Sequence, residues 1–473
     1  MRVLLVATNR ESSPFPVSPL GVLAVAGAAL AAGHEVDFVD CMFAPEPVSA
    51  LGRALDARAY DVLGFGIRNL DNCFWPAPRH FFEDVRVLVE AARQTTTAPI
   101  VLGGSGFSVA PHGWLSRLDA DYGVVGEGEN AFTALLAALA DGRRPDGIPG
   151  IVTTAAGRQG GGRPSRAPAS FAPSVAALAR PAHHLVDYER YVRRGGFVTV
   201  QTKRGCAFAC GYCVYPQLEG TMYRHRPVDA IVDEMEAVVR AQNVRQFFFA
   251  DSVFNAPRVP ALELCRALTR RDLGVGWMAY ANAAGFDEEL AHAMAGAGCL
   301  GVEFGFDAVT DKMLRAWRKP FGQRDVARSL RACREAGLPA AVHLLFGGPG
   351  EIVDDIRESQ AYLDACAPVD AVFASLGVRI YEGAPIAARA RAEGVIDDDT
   401  DLFFPAWYVS AGLGQDPMRA LDGIARRRDH WTTATDWTSR TMRVIQASAN
   451  RFGGQPLWRN VREYGRRLRS SRT

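Results

Sequence analysis

The same rhythm, a short β-branched run followed by an Ala/Leu-rich helical stretch, occurs twice along the chain, with a connector between. In the first half it predicts strands at 2–8, 35–40, 61–67, 99–104 and 122–128, with helices at 19–32, 78–93 and 129–140. Five near-continuous apolar strands joined by helices imply an α/β unit, a doubly wound, Rossmann-like parallel sheet that binds ligands beyond the carboxyl ends of its strands. The second run predicts strands at 197–203, 245–250, 276–281, 301–306, 340–346 and 371–380, with helices at 228–242, 260–271, 287–297, 324–336 and 353–365. Six such units make a partial (β/α)6 barrel, whose chemistry belongs at the carboxyl ends of the strands.

A chain of 473 residues exceeds what one core supports and suggests about three units. The expected division is 1–142 for the first sheet, 143–195 for a linker, 196–385 for the barrel and 386–473 for a mostly helical C-terminal region. Within the linker, 148–154 is expected to form a small hairpin ahead of a glycine-rich turn at 157–165. The basic stretch at 458–469 reads as a solvated face or a helix cap. A net charge of +1 gives no global attraction to nucleic acid or an anionic membrane, so neither is expected as a partner. The longest weakly polar stretch, 19–33, falls short of the roughly 20 residues that span a bilayer. The start lacks a secretory cleavage site, and a cytoplasmic location is expected.

Polar or glycine-rich segments follow the strands of the first unit: 9–19, Arg68-Asn69-Leu70-Asp71-Asn72, Gly103-Gly104-Ser105-Gly106 and Gly126-Glu127-Gly128-Glu129. Glycines there admit a bulky ligand close to the backbone, or serve tight turns alone. Of nine cysteines, Cys41, Cys73, Cys265, Cys299, Cys333 and Cys366 are scattered, which argues against a disulfide framework. The other three form Cys206-Ala-Phe-Ala-Cys210-Gly-Tyr-Cys213, directly after the first barrel strand. Iron–sulfur clusters usually take four thiolates, so three leave one iron open to a small molecule. A zinc site completed by His225 is the competing reading.

At this loop the chain resembles the radical S-adenosylmethionine (SAM) superfamily, whose signature has Cys-x3-Cys followed by an aromatic residue before the third cysteine. Arg204-Gly205, Tyr212 and the run 214–220 share in the resemblance. It implies a [4Fe-4S] cluster on Cys206, Cys210 and Cys213, with the open iron chelating the amino and carboxylate groups of SAM. Reductive cleavage would then give a 5′-deoxyadenosyl radical, with electrons from a donor such as flavodoxin or ferredoxin. The same resemblance points to Tyr212, Asp251, Ser252, Glu303, Gly347 and Gly348 as SAM contacts. Asp251 and Ser252 stand where relatives carry a Gly-Gly-Glu motif, which is absent here; a helix cap is the plain alternative for Asp251.

The first unit, through Pro19-Leu20-Gly21-Val22, Leu102-Gly103-Gly104 and Val125 to Glu129, resembles the cobalamin-binding domain that precedes the barrel in class B methylases. The ligand motif Asp-x-His-x-x-Gly is missing, and 9–17 contains no histidine. The resemblance therefore implies cobalamin contacts at Asn9, Arg68, Asn69, Asn72, Gly103, Gly104, Ser105, Gly126, Glu127 and Gly128, with no histidine beneath the cobalt. A charged Arg68 cannot ligate the metal and would keep it low-coordinate. The expected function is a cobalamin-dependent radical SAM C-methyltransferase acting on an unactivated carbon of a small-molecule substrate, in a cavity shared by the two strand-end mouths. Rearrangement, ring contraction, cyclisation or oxidation with the same cofactors is the alternative, and a non-catalytic metal-binding scaffold is the second. Trp277, Tyr280, Trp317, Phe403, Phe404, Trp407 and Tyr408 are either cavity walls or core, and no catalytic residue is assigned.

Overall fold

A computed structural model describes residues 1–153, 169–366, 368–426, 428–437 and 456–460. The glycine-rich turn at 157–165 and the basic stretch beyond residue 460 lie outside the described residues.

The first sheet is built from β1 (Arg2–Ala7), β2 (Glu35–Asp40), β3 (Val62–Gly66), β4 (Ile100–Gly103), β5 (Tyr122–Val124) and β6 (Ile151–Thr153). Its order is β2-β1-β3-β4-β5-β6, and the first five strands run parallel. The strand order reverses beside β1, so the crevice for a ligand opens at the ends of β1 and β3. The expected linker hairpin takes a different form, because β6 adds antiparallel to β5 and closes the sheet's edge. One helix, Pro47–Ala57, escaped the sequence reading; it buries only Leu51, so its apolar signal is thin. Helix Leu20–Ala31 is apolar nearly all round because one side packs on the sheet and the other meets the connector, where Ala182 N donates to Leu23 O.

The second sheet comprises β7 (Val198–Val200), β8 (Gln246–Phe249), β9 (Gly276–Ala281), β10 (Cys299–Asp307), β11 (Ala340–Phe346), β12 (Ala371–Leu376) and β13 (Trp431–Thr433). They are parallel and in sequence order from β7 to β13. Helices Val228–Gln242, Arg258–Arg271, Glu288–Gly296, Gln323–Glu335 and Val353–Ala365 cover the outside. The seventh strand, β13, comes from the region after 386 and extends the six-strand barrel. Its three residues carry too little pattern to stand out in sequence.

The two sheets are fastened together. Ser18 Oγ donates to Thr199 Oγ1 at 2.7 Å and accepts from Thr199 N at 3.1 Å, while Val17 bridges Phe197. Arg379, buried after β12, pairs with buried Asp71 at 2.7 Å. The carboxyl ends of β1 and β3 therefore face the barrel. Among the described residues no helix is long and apolar enough to cross a membrane.

Candidate active site

The cysteine loop leaves the barrel through Gly205, whose φ of +92° suits glycine and whose added Cβ would lie 2.0 Å from the Met222 carbonyl oxygen. Cys206 N donates to Gly220 O at 3.0 Å, and Gly211 N to Trp317 O at 2.9 Å, so both sides of the loop are pinned by backbone bonds. Cys206 is buried, and Cys210 and Cys213 are half-buried. Burial raises the Cys210 thiol against the pull of the Lys319 ammonium, and raises that of Cys213 to about 12. Iron must displace these protons to bind. Among the described residues no three His, Cys, Asp or Glu side chains gather around one point as ligands of a single ion do. The three thiolates of a cubane each take a separate iron and stand further apart. His225 sits on the short ladder opposite Lys203.

Several residues expected on the SAM side have other partners. Tyr212 hydrogen-bonds Asp307, which pairs with buried Lys319, and lies edge-on to Trp317 at 5.4 Å; its side chain anchors the loop from behind. Asp251 is held by the barrel itself. Its Oδ1 accepts from Thr202 N at 2.7 Å and its Oδ2 from Lys203 Nζ at 2.9 Å and from the Thr202 hydroxyl, so both oxygens are consumed inside the barrel wall. Ser252 Oγ donates to Gly205 O at 3.2 Å and supports the loop. The amides of Gly347 and Gly348 point at Glu351 Oε2, at 2.6 and 2.8 Å, and a Cβ on Gly348 would lie 2.6 Å from Trp317. That close approach is to the Trp317 ring. Glu303 does face the barrel interior, where it bonds His343 and Trp458.

On the first domain, Asn9 follows β1 with its Oδ1 held by Glu11 N and its buried Nδ2 without a partner. Arg68 follows β3 with its side chain exposed; Ser105 Oγ donates to its carbonyl at 2.6 Å, and a reoriented Asn69 amide would bond both its carbonyl and its guanidinium. The Arg68 charge also acts on Tyr215 and Tyr280 across the domain boundary. Asn72 is spent on its own loop, accepting from Phe74 N and Arg79 N. Gly104 (φ +97°) and its neighbour Gly103 let the β4 loop pass under Ile67, whose carbonyl oxygen would be 2.4 Å from a Cβ on Gly104.

Glu127 has partners from the connector and the barrel. It accepts from Ala172 N at 2.6 Å and from both terminal nitrogens of Arg224 at 2.6 and 2.9 Å. Beside it Glu129 takes Arg204 at 2.5 and 3.1 Å. These carboxylates clamp the barrel's cysteine loop to the first sheet, and the flanking Gly126 and Gly128 pack on Ser170 and Val25. Arg224 and Lys203, missed in sequence, carry no motif of their own.

A cavity of about 220 Å³ opens between the domains. Ser13, Phe15 and Phe74 enter it from the loops after β1 and β3, while Tyr280, Glu303, His343 and Phe373 line it from the barrel wall, and Trp458 closes it from the C-terminal segment. Of the aromatics expected as walls or core, Tyr280 lines this cavity, whereas Trp277 and Trp317 are core.

Residues 200–363 match the model of the radical SAM superfamily, and residues 7–136 that of the B12 binding domain. The tryptophan 2-C-methyltransferase of Streptomyces laurentii is 30% identical over 449 residues, covering 80% of this chain and 73% of that protein. The structure of the radical SAM methyltransferase TsrM from Kitasatospora setae, with cobalamin and a [4Fe-4S] cluster bound, superimposes with a TM-score of 0.85 at 26% identity, covering 99% of both chains. The cobalamin-dependent radical enzyme OxsB shares the fold, with a TM-score of 0.70 at 15% identity over 86% of this chain and 64% of that one. The chain belongs to the radical SAM superfamily, in the branch whose barrel follows a B12-binding domain.

Proposed function

We propose that the protein is a cobalamin-dependent radical SAM C-methyltransferase whose substrate is a small aromatic molecule of the tryptophan type. The cavity shared by the loops after β1 and β3 and the inner barrel wall carries this reading. Support for the substrate class comes from the Streptomyces relative and from a second TsrM structure, which is described with tryptophan and a SAM analogue bound and matches at 26% identity. The aromatic lining agrees with it. Cavities of roughly 150 Å³ take a benzene ring, so one of about 220 Å³ suits a bicyclic ring system.

The residues fit the cofactors. Cys206, Cys210 and Cys213 would hold a [4Fe-4S] cluster on one backbone-pinned loop, leaving the fourth iron to SAM. Asn9, with its unpartnered buried amide nitrogen, and Arg68, exposed at the switch point, would face cobalamin. The bound cofactors supply electron transfer to SAM and an activated methyl group. Around them Phe15, Phe74 and Phe373 exclude water from the reacting carbon. Arg68 stays charged and acts as donor and field source. Glu127 and Glu129 hold the cysteine loop in register with the first sheet through Arg224 and Arg204. The reductant is an external one-electron donor of the flavodoxin or ferredoxin kind.

The test is anaerobic purification with iron, sulfide and hydroxocobalamin, comparing wild type with Cys210→Ala, then incubation with SAM, reductant and L-tryptophan. Cluster iron and corrin bands in the wild type, loss of the cluster in the variant, and a methylated product with S-adenosylhomocysteine are expected. Formation of 5′-deoxyadenosine without S-adenosylhomocysteine would replace methyl transfer by rearrangement.

A further inference from the structure

The barrel interior holds a polar cluster that neither the cysteine loop nor the domain clamp uses. His343, on β11, points its side chain into the cavity and remains 35% exposed there, while the Glu303 side chain on neighbouring β10 is 5% exposed. His343 Nε2 lies 2.9 Å from Glu303 Oε2. Glu303 Oε1 accepts from Trp458 Nε1 at 2.9 Å, and an indole N–H can only donate. A carboxylate accepting at both oxygens puts the imidazole proton on Nε2 and leaves the Nδ1 lone pair free. Nδ1 has no hydrogen-bond partner among the described residues. The ring is fixed by Phe373, stacked at 4.7 Å and 30°, and by Tyr280, edge-on at 5.9 Å.

We propose that His343 Nδ1 is the acceptor for a ring N–H of the aromatic substrate, with Glu303 and Trp458 as positioning residues. The inference rests on the aromatic reading above. It supplies what substitution at a heteroaromatic ring needs. His343 takes the N–H proton as the nitrogen's electron pair shifts into the ring, and the ring carbon forms its new bond to a methyl group transferred, ultimately from SAM, as the equivalent of CH3+. The nitrogen then recovers its proton from His343, and the carbon loses its hydrogen as a proton to the freed Nδ1, the C–H pair staying in the ring. One C–C bond forms, one C–H bond breaks and one proton leaves.

The experiment uses holoenzyme with S-adenosylhomocysteine and measures calorimetric binding of L-tryptophan and 1-methyl-L-tryptophan, then, with SAM in its place, the kcat of L-tryptophan methylation. Wild type should bind L-tryptophan at least about tenfold more tightly than its N-methyl analogue, and His343→Gln should abolish that gap. His343→Gln should also lower kcat for methylation, and Glu303→Gln, which leaves the ring in place but loosens its hold, should narrow the binding gap in part. Unchanged iron content and corrin bands in both variants separate these effects from misfolding. A gap that survives in His343→Gln, or a kcat that His343→Gln leaves unchanged, overturns the proposal alone. Failure of wild type to bind either indole overturns the aromatic reading and the proposal with it.

Discussion

Glu129, in the first turn of helix Gly128–Ala140, and Arg204, just ahead of the first cysteine, form a forked ion pair across the domain boundary at 2.5 and 3.1 Å. Glu129 is 3% exposed. Arg204 keeps Glu127 at 3.6 Å, so losing the Glu129 charge costs about 1–3 kcal/mol, the penalty of leaving buried guanidinium N–H groups without an acceptor. Glu129→Gln is therefore expected to lower the thermal midpoint and, because Arg204 adjoins the cysteine loop, to reduce iron retained after anaerobic gel filtration. A variant that melts with the wild type and keeps its iron would separate the loop from the clamp.

Gly205→Ala attacks the same loop through the backbone. Its new Cβ would sit 2.0 Å from the Met222 carbonyl, with φ at +92°. Gly285→Ala, at φ +68° with nothing within 4 Å, carries the conformational strain alone. That strain is worth about 1–3 kcal/mol. Gly205→Ala is expected to lose more stability than Gly285→Ala and to reconstitute with less iron per chain, while Gly285→Ala keeps its iron. Equal iron in the two variants would show that the loop accommodates the clash.

Behind the cysteines, Asp307 joins Tyr212 and Lys319, and the ion pair is largely buried. Lys319→Met should destabilise by about 3–5 kcal/mol, since Asp307 is then left without its cation. Asp307→Asn in the same chain should restore part of that loss, giving a coupling of about 1–3 kcal/mol in a double-mutant cycle read by denaturant unfolding. Additive losses would mean that the two side chains act independently.

Sequence made the strand positions and the cysteine loop legible because both depend on local pattern: alternation of elements in one case, spacing within a single turn in the other. It could not foresee that Asp251 is consumed by Lys203, or that Glu127 turns to Arg224, since a carboxylate after a strand looks the same whether it faces a ligand or an arginine from another domain. Glu303 shows the limit most clearly. The resemblance alone singled it out, and its partners are His343 on the next strand and Trp458, 155 residues away. Strand β13 and helix Pro47–Ala57 were missed because a three-residue run and a helix with one buried residue give the periodicity little to register.

Glu351 adds a pH dependence that the fold builds in. Its carboxyl is 2% exposed, accepts from the amides of Gly347 and Gly348, and is raised by burial from 4.5 to about 7. In the unfolded chain it ionises near its ordinary value, so between these two values the folded state holds more protons. Stability contributed by the neutral form is then full below about pH 4.5 and is lost as pH rises through about 7. The shift corresponds to roughly 3 kcal/mol across that window. Glu351→Gln cannot ionise, and its side-chain oxygen can still accept from the two glycine amides. Chemical unfolding of the holoenzyme between pH 5 and 8 should show wild type losing stability relative to Glu351→Gln as pH rises. Parallel curves for the two proteins would mean that Glu351 ionises in the folded state at its ordinary value, with the glycine amides outweighing burial.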